Sequence, residues 1–111
     1  MFVWTMAYRP FIMGGNCNGP IGIEVAVGEQ IPLGKGYFGY VVTSPKTGAT
    51  YVAEAETGAF VGNSIAAVRD DIANAADDVM QQQMVDARKL RKTAAKVDAA
   101  YFWQLMSRAP E

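Results

Sequence analysis

Glu54 and Glu56 stand two residues apart in TYVAEAE, a run with the alternation of a β-strand, so both carboxylates leave one face. Paired carboxylates at that spacing can exchange protons or hold a divalent cation. The same spacing describes any solvated strand face, and with no further ligand-type residue beside the pair the solvated face is expected. Asp70-Asp71 and Asp77-Asp78 are read alike, as a wet helix face and as charges suited to a helix start. The segment GGNCNGP at 14–20 invites comparison with phosphate-cradling loops. It lacks the lysine and hydroxyl pair of a P-loop and the G-x-G-x-x-G pattern, so a surface connection is expected. Cys17 lies within it and is the one cysteine of the chain. A thiol there needs a neighbouring cation or helix N-terminus to become a nucleophile. Gly34-Lys35-Gly36 and Lys46-Thr47-Gly48 are read as turns; the second matches an element of serine β-lactamases whose Ser-x-x-Lys partner is absent.

The chain has 0 histidines in 111 residues. Ser/His/Asp and Cys/His sites, an HExxH zinc site and an imidazole proton shuttle are therefore excluded within it. A non-catalytic protein without cofactor or metal is the expectation. The rival from another class is a small-molecule-binding or enzymatic domain using the Cys17 loop and Glu54/Glu56.

The densest charge is Arg88-Lys89-Leu90-Arg91-Lys92, followed by Lys96, after a stretch dominated by Asp70, Asp71, Asp77, Asp78 and Asp86. At helical spacing Arg88, Lys92 and Lys96 form one i, i+4 row, flanked by Lys89 and Arg91. Such a row meets an acidic partner or is simply solvated near a helix C-terminus. Ten Lys+Arg against eleven Asp+Glu give a net charge of −1, so nucleic acid is not the expected partner. The last segment, Tyr101-Phe102-Trp103-Gln104-Leu105-Met106, places Phe102, Leu105 and Met106 on one helical stripe with Tyr101 bordering it. Trp103 then points elsewhere, and one core contact cannot hide the whole circumference. Arg88, Lys89, Arg91, Lys92 and Lys96, with Tyr101, Phe102 and Trp103 as apolar anchors, are the predicted partner-binding residues. The partner expected is another protein, with self-association as well.

These residues need elements to hold them. All eleven glycines fall between Gly14 and Gly62, four of five prolines at or before Pro45, and all six aspartates at or after Asp70. A β-rich half at 1–62 followed by a helical half at 63–111 is expected, within one domain. Strands are predicted at 2–8, continuing at 11–13, and at 21–27, where Ile21, Ile23, Val25 and Val27 share a face; Gly22 on the other face could admit a neighbouring backbone. A hairpin joins 37–43 to 50–56, with Tyr51, Ala53 and Ala55 packed and Glu54 and Glu56 wet. Asn63 or Ser64 caps a helix burying Ile65, Val68, Ile72 and Ala76. A second helix starts at Asp77-Asp78, and Met80, Met84, Ala87, Leu90, Ala94, Val97, Tyr101 and Leu105 keep a three-or-four spacing to its end. Either it breaks near Thr93 or Asp98, leaving a short last helix at 98–107, which is the favoured reading, or it runs on as one long helix that projects and needs a partner. The fold class is α+β, a small antiparallel sheet packed against two or three C-terminal helices on one face. The apolar N-terminal run lacks a charged leader and is interrupted by Tyr8, Arg9 and Pro10, so no membrane span is expected. With one cysteine the chain reads as cytoplasmic.

From Tyr51-Val52-Ala53-Glu54-Ala55-Glu56 through Gly58, Gly62 and Ser64 to Ile72, the chain resembles the HicB-like antitoxin domain: a strand ending in acidic residues, a glycine turn, a second glycine and a Ser-started helix. The resemblance implies a partial ribonuclease-H-like fold that neutralises a small RNA-targeting toxin by binding it. It covers about a quarter of the sequence. The loop-bearing segment before the hairpin and the absence of a following DNA-binding module depart from that family.

Overall fold

Phe2, Val3 and Trp4 open the strand β1 (Phe2–Ala7), which pairs antiparallel with β2 (Gly19–Glu24), setting Val3 opposite Ile23 and Thr5 opposite Ile21. The computed structural model describes residues 1–7 and 19–107. The continuation predicted at 11–13 and the loop around Cys17 lie outside the described residues. A second sheet is an antiparallel meander of β3 (Ile31–Gly34), β4 (Tyr37–Thr43), β5 (Thr50–Glu54) and β6 (Phe60–Gly62). The expected hairpin is its β4–β5 core, with Val42 opposite Tyr51 and Tyr40 opposite Ala53. The two sheets are stitched together where the Trp4 amide donates to the Gly58 carbonyl at 3.0 Å.

Three helices follow: α1 (Ile65–Asn74), α2 (Asp77–Thr93) and α3 (Ala99–Ser107). Ser64 caps α1 as expected, its hydroxyl accepting from the Ala67 amide at 3.2 Å. Both candidate break points between α2 and α3 are used. α2 stops at Thr93, and the Asp98 side chain accepts from the Ala100 amide at 2.9 Å at the start of α3. Between them Ala95–Lys96 forms a short seventh strand, β7, which pairs parallel with β2. No apolar alternation announced it.

Successive residues of a strand face opposite sides, and β5 is packed on both. Val52 joins Leu33, Val68 and Ile72, a cluster closed by α1. Ala53 joins Val3, Ile21, Ile23, Val42, Phe102, Trp103 and Leu105, a cluster closed by α3. The α+β class is as expected, with a small antiparallel sheet followed by three helices. Helices on one face only is not what the chain adopts, because α1 and α3 close cores on opposite sides of β5.

Gly22 does admit a neighbour. A Cβ there would lie 2.5 Å from the Val3 carbonyl oxygen and 2.4 Å from the Phe2 ring, so only glycine lets the ring lie across β2. Gly58 is tighter, with φ +76° and the Phe2 carbonyl oxygen 2.0 Å from where a Cβ would stand. That approach lets β1 reach the turn after β5.

Candidate functional site

Glu54 is not on a wet face. It is 7 % exposed, beside Val52 on the side that α1 covers, and its carboxylate is fully engaged by the turn that follows. Oε1 accepts from the Thr57 amide at 2.7 Å and the Thr57 hydroxyl at 2.8 Å; Oε2 accepts from the Glu56 amide at 2.9 Å. Three donors satisfy a buried charge that would otherwise cost heavily. Glu56, past the end of β5, is half-exposed and receives both the Nε and Nη2 of Arg88, the latter at 3.0 Å. That fork holds the Glu56 carboxyl below the ordinary carboxylate range and raises Arg88 further. The two glutamates thus serve separate tasks, one bracing a turn and the other tying α2 to it.

Arg91 lies 3.9 Å over the Phe2 ring, and Lys96 reaches Glu24 at 3.2 Å. The Lys96 hydrogen bond is the largest influence holding Glu24 below the ordinary carboxylate range. Lys96 is not in a row with Arg88 and Lys92, because the helix ends at Thr93 and β7 carries Lys96 onto the edge of β2. Lys89 and Lys92 remain: both are exposed on α2, and among the described residues neither has an ion-pair partner.

The aromatic segment is placed differently from the sequence expectation. Phe102 is 0 % and Trp103 5 % exposed, so both are core residues of α3, and Trp103 does not point away from the packed stripe. The Trp103 ring stacks on Tyr51 at 6.1 Å and meets Phe102 edge-on at 5.0 Å, while Phe60 stacks on Tyr51 at 5.2 Å. Such ring pairs add about 0.5–1.5 kcal/mol each beyond their burial. Tyr101 is half-buried at the border.

α2 itself is thinly seated. Of its 17 residues only Met84 is buried, with Met80, Ala87 and Leu90 half-buried on the same side, and Ala94 is already the extended residue that ends the helix. Two clefts, of about 650 Å³ and 440 Å³, run beneath it and share Tyr37, Glu54 and Met84 in their walls. Polar ties hold the helix down at several points. Lys35, in the β3–β4 turn, donates to the Ala75 carbonyl at 2.6 Å and pairs with Asp77 at 3.4 Å. Arg88 grips Glu56 near the middle, and Arg91 covers Phe2 near the end.

α2 also keeps two exposed apolar residues on different sides, Val79 at 47 % and Val85 at 40 %, the latter bordering the larger cleft as well. The sequence reading passed over both valines because it followed only the inward stripe. For Val85 the signal was present: Asp78, Gln82, Val85, Lys89 and Lys92 recur at spacings of three and four on the side away from Met80 and Ala87. Among the described residues no cluster of three or more Cys, Asp or Glu side chains could hold a metal, and no helix is long and apolar enough to cross a membrane. The stretch resembling the HicB-like domain folds as β5, the Gly58 turn, β6 and the Ser64-capped α1. No protein-family model, no curated protein and no solved structure matches the chain.

Proposed function

We propose that this chain is a small non-catalytic protein-binding subunit, accessory or regulatory in role and cytoplasmic, that meets its partner through the outward face of α2. One observation carries this. Lys89 and Lys92 are exposed without ion pairs among the described residues, on a helix face that also exposes Val85, whereas Arg88, Arg91 and Lys96 are engaged within the chain. Charged groups free of internal partners beside an apolar side chain are what a recognition surface needs, the charges for steering and register and Val85 for desolvated contact. The partner that fits is a protein surface with carboxylates around a small apolar patch. Phe102 and Trp103 belong to the core that α3 closes and are not part of this surface. A toxin-binding domain of the HicB-like kind would be one instance of such a subunit. With 0 histidines in the sequence, a binding role is favoured over a hydrolytic one.

The test is affinity capture from the native extract with the wild-type chain and with Lys89→Glu/Lys92→Glu. A protein retained by the wild type and lost by the double variant is the expected result. Identical retained sets, or none in either case, would overturn the proposal.

A further inference from the structure

The face that the proposed function uses carries a pattern of charge that selects its own partner. At 100° per residue, Asp78, Gln82, Val85, Lys89 and Lys92 fall within an arc of about 80°, opposite Met80, Met84 and Ala87. All five are exposed. Val85 is at the centre of the stripe, with Asp78 and Lys92 about 10 Å to either side along the axis. The Gln82 side-chain amide donates to Asp86, on the flank of the stripe, at 3.0 Å. We infer that α2 pairs antiparallel with α2 of a second copy of this chain, about a two-fold axis at Val85.

In that arrangement Asp78 faces Lys92 of the second copy and Gln82 lies within one residue of the level of Lys89, each contact occurring twice, while the two Val85 side chains meet on the axis. A self-complementary patch of this kind is what a closed two-fold dimer requires. A parallel pairing would instead set Lys92 on Lys92 and Asp78 on Asp78, so the charges choose the direction. The helix macrodipole favours acids at the start of a helix and bases in its last turn. It does not account for Lys89, which precedes the last turn, nor for an apolar residue at the midpoint of the exposed stripe. A helix of 17 residues is about 25 Å long, so the buried area is at the low end for specific interfaces and the dimer is a weak one.

The pairing rests on the outward face of α2 being the working surface, and sedimentation equilibrium separates the two ideas. Wild type, Asp78→Lys, Lys92→Glu and an equimolar mixture of the two variants are compared from about 5 µM to about 1 mM, a range that covers weak association. The wild-type mass is expected to rise above 12.0 kDa with concentration. Each single variant sets like charges opposite each other twice and should weaken association by about tenfold. In the mixed dimer every pair is again opposite in sign, so the mixture should recover to within about threefold of wild type. Circular dichroism melting of each variant checks that folding is unaffected. A wild type that stays at 12.0 kDa throughout, or a mixture no more associated than its components, overturns the self-pairing. If that occurs while capture still depends on Lys89 and Lys92, the surface stands with a different protein on it. If capture is also unchanged, both proposals fall.

Discussion

Glu54 commits its carboxylate to three donors, so its removal does more than delete a charge. With alanine there, the Thr57 amide and hydroxyl are left buried without an acceptor. Each unsatisfied group costs about 1–3 kcal/mol, so Glu54→Ala should lose about 3 kcal/mol in urea denaturation, with Glu54→Gln losing about 1 because one oxygen remains. Equal stability of wild type and Glu54→Ala would show that the turn does not depend on the carboxylate. This residue also marks a limit of sequence reading. Period-2 alternation correctly placed Glu54 on the face opposite Tyr51 and Ala53, but alternation cannot say whether that face is wet. The elements that close that side, α1 and α2, lie further along the chain, and Thr57, the residue that satisfies the charge, lies outside the strand.

At the scale of elements, α2 stands apart because polar ties rather than core packing hold it. The Glu56 carboxyl is lowered in the folded state by the Arg88 hydrogen bonds, so that tie is fully present above the ordinary glutamate range and is lost as pH falls through the lowered value. Amide exchange, corrected for intrinsic rates, should show α2 protection falling about two- to threefold across that acid window, with the β4–β5 pairs unchanged. Glu56→Gln should remove the acid-dependent part. Acid sensitivity that persists in this variant would assign it to another group. The helices themselves were legible: Ser64, Asp77-Asp78, Thr93 and Asp98 each mark a start or a stop where local hydrogen-bonding chemistry acts. β7 was not legible, since Ala95 and Lys96 form a strand only because β2 offers them an edge. The i, i+4 row through Lys96 failed for the same reason.

Across the whole molecule, cores on both sides of β5 decide what the aromatic tail can do. Composition and hydrophobicity identified residues 101–106 as too apolar for one ordinary helix contact. They could not show that Tyr51 and Phe60, from the other half of the chain, build the socket that takes Trp103. Trp103→Ala should therefore cost about 3–5 kcal/mol of stability, while Lys89→Ala and Lys92→Ala stay within about 0.5 kcal/mol of wild type, as measured by denaturant titration. Near-neutral loss at Trp103 would return that residue to the surface.

If, as proposed, partners are met by the outward face of α2, binding covers Lys89 and Lys92. Lysine acetylation by a soluble ester, read residue by residue in the mass spectrometer, tests it in the native chain, with exposed Lys46 in the β4–β5 turn as the internal reference. As native extract is added, or the purified chain is concentrated, Lys89 and Lys92 should lose reactivity while Lys46 keeps its own. Unchanged reactivity at Lys89 and Lys92 under both conditions, or protection confined to Lys46, would contradict the account.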